Sequence, residues 1–104
     1  MITIEELRDL CNNKAIKWTT HVLMRLQERG INPSDVKNCI LTGEIIEEYP
    51  EDFPYPSCLV FGSTVLNKPI HIVAGVGNGI IFIITGYFPT LEKWNDDYKT
   101  RKEL

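Results

Sequence analysis

The chain has too few cysteines, too widely spaced, to build a zinc knuckle or a disulfide framework. Cys11, Cys39 and Cys58 are odd in number and include no Cys-x-x-Cys pair. That points to a reducing compartment and to three small buried hydrophobes. Histidine is scarcer still, with only His21 and His71. Together with scattered acids they make no recognisable ligand spacing, so neither a metal nor a cofactor is expected. No apolar run approaches membrane-spanning length. The opening Met1–Glu6 lacks the basic region and apolar core of a secretory signal, so the expected location is cytoplasmic, with no membrane partner. No serine or cysteine stands in a nucleophile motif. Gly75-Val-Gly77-Asn-Gly79 precedes a strand rather than a helix, which makes it a turn and not a dinucleotide loop. Repeats, linkers and low-complexity segments are lacking as well.

What remains is 104 residues of ordinary hydrophobicity, 43 %, enough for one domain spanning 1–104 and one core. The formal net charge is −3, which excludes a broad non-specific grip on polyanions. The distribution is uneven. Lys14, Lys17, Arg25 and Arg29 face only Glu28 within one stretch, while acids gather at Glu44–Asp52 and again at Glu92–Asp97. A local positive site on an acidic body is therefore expected.

Helical signals fill the first half. Thr3-Ile-Glu-Glu6 has capping-box spacing, and Leu7 and Leu10 continue an apolar stripe to Asn12–Asn13. Lys14 to Trp18 reads as a short extended stretch. Thr19 or Thr20 caps a second helix that Gly30 ends, with Val22, Leu23 and Leu26 toward the core. Asn32-Pro33-Ser34-Asp35 starts a third helix, which ends at Gly43. Strand signals follow at Glu44–Tyr49, Ser57–Leu66, Ile70–Val76 and Ile80–Ile84, the last apolar enough for burial on both faces. The tail from Thr90 to Leu104 places Trp94 and Tyr98 at helical spacing. The fold class is α+β: N-terminal helices packed on one face of a 3-4-stranded antiparallel sheet, with a short C-terminal helix.

The chemistry concentrates in two clusters. His21, Arg25 and Arg29 recur every fourth residue, so they form a ladder on one helix face. Histidine titrates near physiological pH, and arginine holds phosphate with a fork it cannot deprotonate. Thr85-Gly86-Tyr87 closes the most apolar strand. Tyr87 is suited to donating to phosphate or orienting a base, and Gly86 to close backbone approach. The expectation is that the two clusters meet. His21 then serves as general acid or base, Arg25 and Arg29 as phosphate ligands, and Tyr87 as a positioning group. Thr85, His71 and Lys17 stand as further binding candidates. The bland alternatives are salt bridges for the arginines, a near-cap role for His21 and a core role for His71. The hairpin decides His71. A three-residue loop at Gly77-Asn78-Gly79 pairs Val76 with Ile80 and sets His71 opposite Thr85, whereas a two-residue Asn78-Gly79 loop sets it opposite Gly86. The first is preferred.

The ordered blocks His21-x₃-Arg25-x₃-Arg29-Gly30-Ile31, Asp35-Val36, Gly43-Glu44-Ile45-Ile46-Glu47-x-Tyr49, Pro56-Ser57-Cys58-Leu59-Val60, Pro69-Ile70-His71-Ile72-Val73 and Ile83-Ile84-Thr85-Gly86-Tyr87-x-Pro89, ending in Trp94, closely resemble domain-of-unknown-function family 4258 (DUF4258). Phe88 stands where a polar or basic residue is expected. The resemblance implies kinship with small RelE-like and BrnT-like ribonuclease toxins. By that kinship the chain is the toxin of a toxin–antitoxin pair, a metal-independent endoribonuclease whose partners are RNA and a small zinc-finger antitoxin-like protein. The rival expectations are a non-catalytic binding module for a protein partner or small anion, and a structural clamp holding the second helix to the sheet.

Overall fold

A computed structural model describes residues 1–103. Three helices, α1 (Ile4–Asn12), α2 (Thr20–Glu28) and α3 (Pro33–Thr42), pack on a sheet of β1 (Ile16–Lys17), β2 (Glu44–Tyr49), β3 (Ser57–Ser63), β4 (Pro69–Gly77) and β5 (Ile80–Tyr87). The class is α+β, as expected. The sheet has five strands rather than three or four, in the order β1-β5-β4-β3-β2. It is mixed, because β1 runs parallel to β5 while the other pairs are antiparallel. The extended stretch after α1 is long enough to add two rungs to β5, and those two residues are the fifth strand.

The helix starts follow from their caps. Thr3 accepts from the Glu6 amide at 3.1 Å, and Thr19, rather than Thr20, accepts from Val22 at 3.1 Å. Asn32 and Asp35 form a reciprocal capping box. Asp35 also accepts from the Val65 amide at 3.0 Å, tying α3 to the turn after β3. Leu7, Leu26, Val36 and Ile40 drop from the helices onto Cys58, Val60, Ile72 and Ile81 of the sheet. All three cysteines are buried. Burial pushes the thiols of Cys39 and Cys58 up to about 12, which leaves them inert as nucleophiles.

Gly62 is where α3 and β3 touch. A methyl group there would collide with the carbonyl oxygen of Cys39 and stand 2.9 Å from its Cα. Backbone cannot swing aside as a side-chain tip can, so Gly62→Ala should cost about 2 kcal/mol, read as a lowered urea midpoint at unchanged slope.

Two strand expectations need correction. The β4–β5 turn is the two-residue Asn78-Gly79 loop, with Gly77 paired to Ile80 and both turn residues at positive φ (53° and 71°), the geometry that fits the strand twist. A bulge between Val73 and Ala74 then shifts the ladder by one, so His71 pairs with Tyr87 and Val73 with Thr85. His71, Thr85 and Tyr87 share a face after all, because the bulge restores what the shorter loop alone would have reversed. The apolar strand is also not central. β5 has only the two rungs of β1 beyond it, and Ile84 is 47 % exposed.

The tail is not a helix. Asp97 accepts from the amides of Lys99 and Thr100 and from the Thr100 hydroxyl, and Tyr98 takes a left-handed φ of 58°. This side-chain turn outcompetes the helix that the Trp94–Tyr98 spacing suggests. The expected helix also reached Leu104, which lies outside the described residues. Residues 90–103 instead strap across the second face of the sheet. There Trp94 closes over His71, with ring centroids 4.5 Å apart and planes at 90°.

Candidate functional site

Val22 and Leu26 bury α2 against β5, and Gly86 permits the close approach. A Cβ at position 86 would lie 2.6 Å from Ile72 Cδ1 and 2.9 Å from Leu26 Cδ2. The ladder of α2 therefore overhangs the part of β5 that β1 leaves uncovered. Arg29 closes the gap. Its Nη1 donates to Thr85 Oγ1 at 3.2 Å and to the Gly86 carbonyl at 2.8 Å, and among the described residues Nη2 and Nε are open for a further acceptor. The ion pairs among the described residues are Lys99–Glu44 and Arg101–Glu47, so neither Arg25 nor Arg29 is ion-paired among them.

Two depressions meet at Arg29 and Thr85. One of about 220 Å³ is lined by His21, Arg25, Arg29, Ile84, Thr85 and Gly86, with Val22 and Leu26 as its floor. The other, about 620 Å³, is lined by Arg29, Thr85, Tyr87 and Phe88 and by Thr90, Glu92, Lys93, Trp94 and Arg101 of the strap. The two sequence clusters thus line two neighbouring depressions that share Arg29 and Thr85 and together make the groove. Lys17 does not join them. It pairs with Phe82, three residues before Thr85 on β5, roughly 10 Å away along the strand. Sequence reasoning missed Lys93 and Arg101, whose only signal was a charged tail carrying aromatics. Arg101 is a wall rather than a free cation. It bonds Glu47 through Nε at 2.8 Å and Nη2 at 3.0 Å and stacks over Trp94 at 4.7 Å. The Arg101 guanidinium in turn holds the Glu47 carboxyl below the usual carboxylate range.

His71 lies behind the groove, fully buried. Its Nδ1 is 3.3 Å from the Tyr87 hydroxyl and its Nε2 is 2.7 Å from the Tyr98 carbonyl. Burial lowers its pKa from the ordinary 6.5, against the opposing pull of the Tyr98 carbonyl and the Glu47 charge. The unfolded chain takes up a proton at pH values where the folded ring does not, so the contribution to stability is complete above about 6.5 and is lost as pH falls through the lower folded value. Glu47 adds a second loss below its ordinary 4.5. Melting temperature should therefore fall in two stages on acidification, the first removed in His71→Gln.

Among the described residues, no three His, Cys, Asp or Glu side chains converge as a metal site. Nor is any helix among them long and apolar enough to cross a membrane. Comparison with curated proteins and with solved structures finds no match. A family model does match, over residues 18–88, which takes in the whole ladder and all of β5 but stops short of the strap. By that match the chain belongs to the family described as Domain of unknown function (DUF4258).

Proposed function

We propose that this protein cleaves RNA without a metal, as the RelE-like toxin of a toxin–antitoxin pair, at the junction of α2 and β5. The observation that carries the reading is Arg29, a cation fixed on the strand edge with half of its fork still open, at the meeting of two depressions that hold His21 and Arg25 on one side and Tyr87 and Lys93 on the other. The open fork suits a phosphate, which it can grip through two oxygens. His21 takes the proton of the ribose 2′-hydroxyl. The oxygen attacks the adjacent phosphorus, the bond to the 5′-oxygen breaks, and that oxygen is protonated from water. Arg25 and Arg29 stabilise the charge that builds on phosphorus. The kinship to RelE-like and BrnT-like toxins that the sequence resemblance implies favours the reading, and a small zinc-finger antitoxin-like protein would be the partner.

A second reading, a binding module without turnover, draws on His21 itself. Among the described residues no side chain or carbonyl bonds its ring to select a tautomer, as the partner of a catalytic imidazole commonly does.

The test is single-stranded RNA incubated with purified protein in excess chelator. Cleavage to 2′,3′-cyclic phosphate and 5′-hydroxyl ends, reduced about 100-fold in His21→Ala, is the expected result. Salt-sensitive binding without cleavage would transfer the groove to the second reading. Neither binding nor cleavage would overturn the ribonuclease reading.

A further inference from the structure

The Tyr98 carbonyl has only lone pairs to offer, so His71 Nε2, at 2.7 Å, carries the ring proton. In the neutral ring Nδ1 is then an acceptor, and the Tyr87 hydroxyl spends its own proton on it across 3.3 Å. The oxygen of Tyr87 is left with lone pairs, and Tyr87 lines the larger depression beside Arg29 and Thr85. A tyrosine suited by type to donate to phosphate is thereby turned into a fixed acceptor.

We propose that His71, by holding the proton of Tyr87, makes the larger depression a ribose-reading subsite that accepts a 2′-hydroxyl proton and so prefers RNA to DNA. The inference rests on the phosphate reading of Arg29. A nucleic-acid phosphate is acceptor-only, so it settles on Arg29 and is disfavoured at Tyr87 Oη. The ribose on the other side of that phosphate, not the one whose 2′-hydroxyl His21 deprotonates, is the part of the chain that brings a free donor, and only in RNA. Tyr87 and Thr85 stand two residues apart on one face of β5, about 7 Å, while Arg29 is bonded to Thr85. An anion and an adjacent hydroxyl can therefore be engaged together.

Protonation of His71 would reverse the polarity. Nδ1–H would then donate to Tyr87, whose proton would turn to the groove. Around the ring stand Tyr87 from β5, Phe61 from β3 and Trp94 from the strap; Glu47 of β2, bonded to Tyr49, and Arg101 of the strap act on it through charge, and Lys99 stands over Phe61. Glu47 and Arg101 oppose each other in charge, so neither alone sets the ring's state.

The test uses the full chain in a His21→Ala background, so that probes stay intact, with fluorescent single-stranded RNA, its 2′-fluoro analogue and the DNA of the same sequence. The 2′-fluoro group keeps the shape of the ribose and removes the donor. RNA is expected to bind about five- to tenfold more tightly than the other two. That preference should fall below about twofold in Tyr87→Phe, and also on acidification through the His71 titration. Salt-sensitive binding of equal strength to all three probes would overturn the ribose subsite and leave the phosphate reading standing. Absence of salt-sensitive binding to any probe would overturn both. Because His71 variants risk misfolding, ¹⁵N NMR of the unmutated ring supplies the second measurement. The Nε2–H tautomer is expected, and the Nδ1–H tautomer would overturn the proposal.

Discussion

Arg29→Ala is expected to lower RNA cleavage about 1000-fold and to reduce stability by about 1 kcal/mol, whereas Arg25→Ala should lower cleavage and leave the urea midpoint in place. The asymmetry comes from geometry. Arg29 spends Nη1 on Thr85 and on the Gly86 carbonyl and presents the rest of its fork to the groove, so it ties α2 to β5 and offers a charge at once. Arg25 lines the smaller depression and makes no ion pair among the described residues, so it has a ligand to lose but no clamp. The stability cost is kept small because the Arg29 bonds are partly exposed to water. Arg29→Lys separates the two roles further. One ammonium cannot both bond the strand and grip a phosphate bidentately, so the lysine variant should recover less than a tenth of the lost rate. If Arg29→Ala lowered the midpoint while cleavage persisted at full rate, Arg29 would be a clamp alone and the phosphate would have to be held elsewhere.

Local chemistry made much of this arrangement readable in the sequence. The helix starts were legible because Thr3, Thr19 and the Asn32–Asp35 pair satisfy amides within their own turn. The ladder was legible because helical period alone puts His21, Arg25 and Arg29 in one row. The features that escaped depend on residues far apart in the chain. Nothing local marks Ile84 as the extra residue of a bulge, yet the bulge sets His71 against Tyr87. The spacing of Trp94 and Tyr98 is helical, but a turn built on Asp97 and a bidentate bond from Arg101 to Glu47 fold the segment across the sheet. Lys93 and Arg101 enter the groove only through that crossing. The direction in which Tyr87 points its proton was unreadable for the same reason, since the Tyr98 carbonyl decides it from the far side of His71.

Trp94→Ala is expected to cost about 3–5 kcal/mol, the largest stability loss of any substitution considered, and the loss should be local in character. The indole is 2 % exposed, meets His71 edge-on and supports the Arg101 guanidinium on its face. It is the buried anchor of the strap, whose remaining ties to the sheet include the Lys99–Glu44 and Arg101–Glu47 pairs with much of their side chains in water. Lys99–Glu44 contributes little on its own, and the bidentate Arg101–Glu47 pair loses the indole face on which its guanidinium stacks. Without the indole, residues 90–103 should lift from the sheet, while α1, α2 and α3 keep their packing on the opposite face. Hydrogen exchange would show lost protection in the strap and in the neighbouring rungs of β3 and β4, with the helices retained. The groove would lose the wall made by Lys93, Trp94 and Arg101, and His71 would meet water. The depression of its pKa comes chiefly from burial, so exposure returns it toward 6.5 and abolishes the first acid stage of melting. Trp94→Ala and His71→Gln should thus flatten the same limb of the pH–stability curve by different routes, one by hydrating the ring and the other by removing it. Retention of that limb in Trp94→Ala would mean that the sheet buries His71 without the strap, and the groove's far wall would then be dispensable to the site behind it.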